Sequence, residues 1–257
     1  MYISSLQNPK IKNIVALRKA SKRKKQNLFI IDGLREIKVA LDYGFNLIDI
    51  FRCPEISNEN PGFFKQEINT VSSEVFKKIA YADNPNGWLA IAEPRYNNLN
   101  DIKIKDKFLG LVLELVEKPG NLGAIIRTSY AAGLDAVIIN ESQTDLYNPN
   151  VIKASSGHVF SSMVIIASKE ECLEYFKANK IEVYTTSIKA SKSYEQVNWQ
   201  KPSVIVLGSE AFGLSNYWLK NSNHNIIIPM QNGIDSLNVS VSAGIVVYEA
   251  KRQRNLD

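Results

Sequence analysis

The residues best placed to do chemistry follow one apolar stretch in the middle of the chain. Asn121 and Arg127 lie in the segment 117–127, which comes directly after the apolar residues 108–116. Asn121 has the short polar side chain that holds free backbone N–H groups at or beside a helix N-cap, and Arg127 follows about a turn and a half later. A buried strand, a polar turn and an early arginine are typical of a site at the carboxyl ends of the strands in an open α/β sheet.

Two later turns contain residues of similar kinds, and each again follows an apolar strand. In residues 208–215, Gly208 and Gly213 permit a tight backbone and the close approach of a ligand. In the next turn, Ser236 and Asn238 are both suited to cap the helix that follows. Because such turns can converge on one crevice in a doubly wound sheet, we predict that all three form a single site.

The elements that position these turns alternate between strand and helix. Strands are predicted over residues 108–116, 136–139, 163–167, 181–185, 203–207 and 226–229. Helices are predicted over residues 122–132, 169–179 and 236–254, with a further helical start at 151–155. This alternation indicates an α/β fold with a mostly parallel sheet. A polar, proline-containing connector at residues 93–100 marks a domain boundary, so we predict a small α/β domain over 1–95 and a second domain over 96–257.

In the first domain, the apolar pattern predicts a helix, a basic turn and then alternating strands and helices. Helices are predicted over residues 9–19 and 34–43 and from about residue 72 onward, and strands over 28–31, 47–51 and 87–92. Residues 21–27 are too polar and charged to belong to a core. We therefore predict that they form an exposed turn.

Positive charge is concentrated at the start of the chain. Residues 1–38 contain ten Lys or Arg and two acidic residues, a net charge of +8, whereas the remainder contains 21 basic and 24 acidic residues. This asymmetry favours a polyanionic partner, with nucleic acid first, although a solvated basic helix face would give the same pattern. The candidate nucleic-acid-binding residues are Lys10, Lys22, Arg23, Lys24 and Lys25.

Several other classes of protein are disfavoured. No apolar run approaches the ~20 residues that cross a bilayer, and the first residues lack a signal-peptide pattern. Cys53 and Cys172 are far apart, which fits a reducing cytoplasm better than a disulfide framework, and His158 and His224 show no metal-ligand spacing, so no metal site is predicted. The sequence also lacks the motifs of α/β-hydrolases, P-loop proteins and dinucleotide-binding enzymes.

The three turns resemble the signature motifs of the SpoU-type (TrmH-like) RNA 2′-O-ribose methyltransferases of the SPOUT superfamily. The matching segments are residues 121–127, 208–214 and 228–240, together with 145–149 and 153–157. Residues 5–10 and 29–33 are similar to the L30e-like substrate-binding domain that many members carry. The resemblance implies a methyltransferase domain with a deep trefoil knot, a homodimer packed through that domain, and an RNA substrate.

The resemblance also implies S-adenosylmethionine as the methyl donor. By position, the cofactor-binding residues are Thr185, Leu207, Gly208, Ile228, Leu237 and Val239. The implied catalytic residues are Arg127, Asn121, Glu210, Ser236 and Asn238. Arginine is almost always protonated, so we favour a role for Arg127 in positioning the ribose hydroxyl or an adjacent phosphate. The resemblance allows this arginine to come from the partner subunit. The proton could then leave to phosphate or water.

Three functional interpretations remain open at this point. The first is methyl transfer to structured RNA, with ribosomal RNA favoured over transfer RNA. The second is an RNA-binding protein that has lost catalysis on this fold, although the polar set implied by the motifs is intact. The third is an enzyme acting on a small metabolite, which the basic first 38 residues disfavour. Glu210 and Asn238 could also serve only as helix caps.

Overall fold

A computed structural model of the chain divides into two units, each built around its own β-sheet. The first unit contains Met1–Arg95 and Asp145–Ser161, and the second contains Tyr96–Thr144 and Ser162–Asp257. The structure describes residues 1–59, 61–141, 144–209, 211–232, 234 and 236–254. Residues 145–161 therefore group with the first unit, although the sequence places them in the second of the two predicted domains.

The strands and helices are numbered in chain order. The described strands are β1 (Tyr2–Ile3), β2 (Phe29–Asp32), β3 (Leu47–Arg52), β4 (Ile68–Val71), β5 (Trp88–Ala92), β6 (Leu109–Glu114), β7 (Ala136–Asn140), β8 (Val164–Ile166), β9 (Glu182–Thr186), β10 (Lys192–Ser193), β11 (Ser203–Leu207) and β12 (His224–Ile227). The described helices are α1 (Pro9–Ala16), α2 (Ala20–Gln26), α3 (Leu34–Asp42), α4 (Ser73–Ile79), α5 (Pro119–Ala132), α6 (Pro149–Ala154), α7 (Lys169–Ala178), α8 (Asn216–Asn221) and α9 (Val239–Arg254).

The first unit contains a five-stranded mixed sheet in the order β1-β4-β3-β5-β2. The pairs β1–β4 and β3–β4 are parallel, whereas β5 is antiparallel to both of its neighbours. The basic stretch after α1 is the helix α2 and not the predicted turn. Its lysine, arginine and glutamine residues are good helix formers, and Asn27 ends the helix in the left-handed conformation.

Aromatic residues attach the segment 145–161 to the first unit. Tyr147 stacks on Phe29 of β2 with ring centroids 4.4 Å apart, and Phe160 packs against Phe45 at 4.8 Å. All four of these side chains are buried. Aromatic contacts of this kind add to the free energy gained by burying the rings, so these residues form part of the core of the first unit.

The second unit contains a seven-stranded sheet in the order β10-β12-β9-β11-β6-β7-β8, in which every described pair is parallel. This confirms the predicted α/β fold with a parallel sheet. Strands β6 and β11 lie side by side near the centre, and every residue of both is buried. Helices α5 and α9 pack against each other. Parallel alignment places the carboxyl ends of β12, β9, β11 and β6 next to one another, where their turns begin.

The described residues contain neither a membrane-spanning helix nor a cluster of metal ligands. None of the described helices has the length and apolar character required to cross a bilayer. Within the same residues, no group of three or more His, Cys, Asp or Glu side chains could hold a metal ion.

Candidate active site

A cavity of about 540 Å³ lies where β9, β11 and β12 end. This volume is within the range of about 300 to 1,000 Å³ that is typical of small-molecule sites. Its walls come from the last residue of each of the three strands, from the residues that follow them, from α8 and from the start of α9. Of the predicted cofactor-binding residues, those that line it are Leu207, Gly208, Ile228, Leu237 and Val239.

Thr185 is the predicted cofactor-binding residue that does not line this cavity. It is fully buried, and its hydroxyl is hydrogen-bonded to Asn225 Oδ1 at 2.5 Å and lies 3.2 Å from Ser222 Oγ. The next residue of β9, Thr186, lines the cavity. Successive side chains of a strand point to opposite faces of the sheet. Thr186 therefore faces the cavity, and Thr185 faces the packed side.

The turn 208–215 is shaped by close contacts between its own backbone atoms. Ser209 and Gly213 exchange two hydrogen bonds: the Ser209 N–H donates to Gly213 O at 3.2 Å, and the Gly213 N–H donates to Ser209 O at 3.0 Å. A Cβ atom at Gly208 would lie 2.2 Å from the carbonyl carbon of Gly213, and Gly213 has φ +67°. Glycine is therefore required by close packing at Gly208 and favoured by the left-handed backbone at Gly213, which agrees with the tight backbone that the sequence predicts. Glu210 lies outside the described residues.

Asn121 and Asn238 connect the first and third predicted turns. Asn238 Nδ2 donates to Asn121 Oδ1 at 3.3 Å. Asn238 Oδ1 also accepts the Ser240 N–H at 2.9 Å, which matches its predicted role as a cap at the start of α9. Asn121 itself is not the N-cap of its helix, because α5 begins at Pro119 and Lys118 occupies the cap position.

A second, smaller cavity of about 220 Å³ adjoins the first. It is lined by Asn121 and by residues that precede α5, and it shares Ser209, Ala211 and Val239 with the first cavity. Ser236 lines the first cavity. The two cavities thus bring parts of all three turns together at one end of the sheet.

Arg127 lies apart from both cavities within this chain. It is on α5 with an exposed side chain, and it is absent from the described lining residues of either cavity. Helix α5 carries Asn121 at its first turn, whereas Arg127 lies about a turn and a half further along. A role for Arg127 at the reacting atoms therefore requires a neighbouring molecule or a bound substrate that reaches it.

The predicted RNA-binding residues differ in their surroundings. Lys22, Lys24 and Lys25 are exposed on α2, whereas Lys10 Nζ is 2.6 Å from Asp49 Oδ1. Arg23 departs from the expectation for a residue that contacts RNA, because only 5% of it is exposed.

The interactions of Arg23 explain this burial. Its Nε is 2.6 Å from Asp145 Oδ2, and its Nη1 donates to Leu17 O at 2.8 Å and to Arg18 O at 2.7 Å. The guanidinium therefore joins α2 to the segment 145–161 inside the first unit. A count of charges cannot separate this structural arginine from the exposed lysines beside it.

The sequence analysis missed several residues that line the first cavity. Ser187, Ile188 and Lys189 follow β9, and Met230 follows β12. The available signal was their position directly after a predicted strand, because ligands in open α/β sheets bind at carboxyl ends.

The two cysteines are buried and free. Burial raises the pKa of the Cys172 thiol to about 11, and it also raises the pKa of Cys53. Both therefore remain protonated thiols at neutral pH. Since the thiolate is the reactive form of cysteine, the site described above does not depend on either residue.

Comparison with known proteins covers both units. Residues 109–248 match the SpoU rRNA Methylase family, and residues 8–90 match the MRM3-like substrate binding domain. The chain is 26% identical over 249 residues to the 23S rRNA (guanosine(2553)-2′-O)-methyltransferase RlmP of Bacillus subtilis. This alignment covers 97% of this chain and 98% of that protein.

Two solved structures of RNA methyltransferases match nearly the whole chain. A crystal structure of an RNA 2′-O ribose methyltransferase matches with a TM-score of 0.87 and 37% identity over 100% of both chains. The AdoMet-bound rRNA methyltransferase of Sinorhizobium meliloti matches with a TM-score of 0.89 and 30% identity, over 98% of this chain and 97% of that one.

Proposed function

The chain belongs to the SpoU rRNA methylase family, and on this premise we propose that it methylates the 2′-hydroxyl of a ribose in ribosomal RNA. It is an RNA 2′-O-methyltransferase, and its methyl donor is S-adenosylmethionine. The observation that carries the proposal is the cavity of about 540 Å³ at the ends of β9, β11 and β12. Five residues that the motif resemblance assigns to the cofactor lie in its walls.

The volume and the lining residues of this cavity are compatible with S-adenosylmethionine. Gly208 lies in the cavity wall, while Leu207, Leu237 and Val239 offer apolar contacts to an adenine ring. When bound, the cofactor supplies a methyl group on a positively charged sulfur. We further propose that these segments form the trefoil knot that the family resemblance implies, because a knot would bring turns distant in sequence around one ligand.

The adjoining cavity offers a place for the ribose that receives the methyl group. Asn121, held by Asn238, lies in its wall next to Ser209, which lines both cavities. These amide and hydroxyl groups can orient a 2′-hydroxyl toward the methyl group for in-line attack. In this step the oxygen–carbon bond forms, the carbon–sulfur bond breaks, and the hydroxyl proton leaves to phosphate or water.

Arg127 would complete the site from a second copy of the chain. Its guanidinium can position the hydroxyl or an adjacent phosphate and stabilise negative charge on the attacking oxygen. Support for a homodimer comes from the two helices that pack together, α5 and α9, which expose Tyr130, Val241 and Tyr248 by 40–50%. An exposed apolar surface of this kind is typical of an interaction site.

The first unit would recognise the RNA. The three exposed lysines of α2, Lys22, Lys24 and Lys25, can bind phosphates, which supplies affinity and orientation and leaves the choice of nucleotide to other contacts. The match of residues 8–90 to a substrate-binding domain supports this assignment. The proposal includes a cytoplasmic location, which fits two free cysteines without a disulfide.

A complementation experiment tests the proposed site and the dimer together. Arg127→Ala removes the positioning group but keeps the cofactor cavity, whereas Gly208→Val blocks the turn against Gly213. If Arg127 acts across the interface, the mixed dimer contains one complete site. With random association, half of the dimers are mixed, and each mixed dimer has one complete site out of two. Co-expression should therefore restore about a quarter of wild-type methylation. Each variant alone should be reduced at least a hundredfold.

Methylation is measured by mass-spectrometric mapping of ribose methyl groups in total RNA from cells with and without the gene. Calorimetry with S-adenosylmethionine verifies that Arg127→Ala still binds the cofactor. Full activity of Arg127→Ala alone would remove Arg127 from the mechanism. Absence of activity in the mixture, with dimers present by light scattering, would place Arg127 and the cofactor of one site on the same chain.

A further inference from the structure

Glu114 is a charged residue that is fully buried at the end of β6, with an exposure of 0%. Burial of a carboxylate is costly unless hydrogen bonds or a positive charge compensate for the lost water. Glu114 is not among the described residues that line either cavity, and the motif resemblance gives it no role. Its burial therefore needs an explanation from its partners.

One residue, Ser215, contacts both oxygens of this carboxylate. The Ser215 N–H donates to Glu114 Oε2 at 2.7 Å, and the Ser215 hydroxyl donates to Glu114 Oε1 at 2.7 Å. Contact at both oxygens fixes the orientation of the Glu114 side chain relative to Ser215. Ser215 is the N-cap residue of α8, but its side chain makes no cap hydrogen bond. The hydroxyl donates its hydrogen bond to the Glu114 carboxylate instead.

Ser215 lies where the turn 208–215 leaves the first cavity. Its neighbours Leu214 and Asn216 both line that cavity. The other end of the turn is fixed by the packing of Gly208 against Gly213. The contact with Glu114 therefore fixes the second end, and it joins this turn to the strand that leads into the segment 117–127.

We propose that Glu114 is a positioning residue that holds the turn 208–215 in the shape that binds S-adenosylmethionine. This inference rests on the proposed function, because it takes the first cavity as the cofactor site. Glu114 acts through Ser215 and not on the reacting atoms. Its replacement should therefore raise KM for the cofactor and leave kcat at saturating cofactor close to the wild-type value.

The test uses the full chain with Glu114→Gln, Ser215→Ala and the double variant. Glutamine can still accept one hydrogen bond but has no charge, so we expect binding of S-adenosylmethionine about tenfold weaker by calorimetry. Ser215→Ala should weaken it severalfold. The double variant should be no weaker than Glu114→Gln alone, because both substitutions break one contact. Turnover at saturating cofactor should stay within about twofold of wild type.

Ser215→Thr keeps the hydroxyl and provides the conservative comparison. It should bind the cofactor as wild type does, and together with Ser215→Ala it carries the test if Glu114→Gln does not fold. Glu182→Gln is the matched control, because Glu182 is at the amino end of β9 in the same sheet and accepts hydrogen bonds from Tyr184 and Lys201. This control should leave cofactor binding unchanged.

Two results would overturn the inference. One is wild-type cofactor affinity in both Glu114→Gln and Ser215→Ala, and the other is full additivity of the two substitutions. The proposed function fails separately, if the wild-type chain binds S-adenosylmethionine but transfers no methyl group to RNA. In that case the effects on cofactor binding still decide the role of Glu114.

Discussion

The two units present their functional residues in different ways. The second unit builds its cavities from turns whose backbone geometry admits few residues, as at Gly208, where a Cβ would meet Gly213 at 2.2 Å. The first unit instead presents exposed lysines along α2. Tight geometry restricts residue type at each position, whereas a charged surface needs only enough lysines nearby. This difference explains why the spacing of glycine and asparagine residues pointed to turns that line the cavities of the second unit. It also explains why charge alone included the buried Arg23 among the predicted RNA-binding residues.

Replacement of Arg23 should give the largest effect, and it tests the contrast between this buried arginine and the exposed lysines of α2. Arg23→Ala leaves Asp145 without its buried partner and removes the hydrogen bonds to Leu17 O and Arg18 O. Breaking a buried ion pair from one side costs about 3 kcal/mol or more. We expect the free energy of unfolding to fall by about that amount. Chemical denaturation measures it, with fluorescence of Trp88 as the probe of the first unit in a background where Trp199 and Trp218 of the second unit are replaced by Phe.

The neighbouring residue Lys22 supplies the control. Lys22→Ala removes the same charge from an exposed position on α2, so stability should change by less than about 0.5 kcal/mol. Equal stability of the two variants would show that the burial of Arg23 contributes little, and the contrast between structural and exposed cations would be lost.

Gly208→Ala tests the other side of the comparison. The added Cβ would overlap the backbone at Gly213, so the turn must open and the cavity must change shape. We expect binding of S-adenosylmethionine to weaken about a hundredfold, or about 2.7 kcal/mol, by calorimetry. Gly120→Ala is the control, because a Cβ at Gly120 meets nothing within 4 Å. Unchanged affinity in Gly208→Ala would mean that the cofactor does not depend on this turn.

Much of the fold was predictable because buried parallel strands are continuous apolar runs. Strand β11 coincides with the predicted residues 203–207, and the neighbouring strand β6 lies inside the predicted 108–116. Short elements escaped detection. Strand β10 has two residues, and α8 has six with one buried tryptophan, which is too little for a periodic signal.

The grouping of residues 145–161 with the first unit could not be predicted from local patterns. It depends on contacts with residues far away in sequence, such as the stacking of Tyr147 on Phe29. The helix α6 within this segment has ordinary helical spacing, which indicates a helix but not the sheet that it packs on.

Five of the six predicted cofactor-binding residues lie in the wall of the first cavity, and their contact with a cofactor stays a prediction. Leu207 and Gly208 line the cavity as the motif implies, whereas Thr185 lies one position from the residue that does so. Strand alternation makes such an error easy, because the predicted strand end at residue 185 is one residue short of the observed end at Thr186. The role of Glu114 was invisible, since its partner Ser215 is 101 residues away.

The smallest predicted effect concerns the exposed lysines, and two adjacent pairs allow a matched comparison. Lys24 and Lys25 lie on α2, and Lys77 and Lys78 lie on α4 of the same unit, with all four side chains exposed. Replacing each pair with alanine removes the same charge. If α2 contacts phosphates, Lys24→Ala with Lys25→Ala should reduce the slope of log affinity for ribosomal RNA against log salt by about 2, whereas the α4 pair should leave it nearly unchanged.

Equal reductions from both pairs would mean that RNA responds to net charge and not to α2, and the first unit would then lack a defined RNA-binding surface there. Fluorescence anisotropy at several salt concentrations measures both slopes.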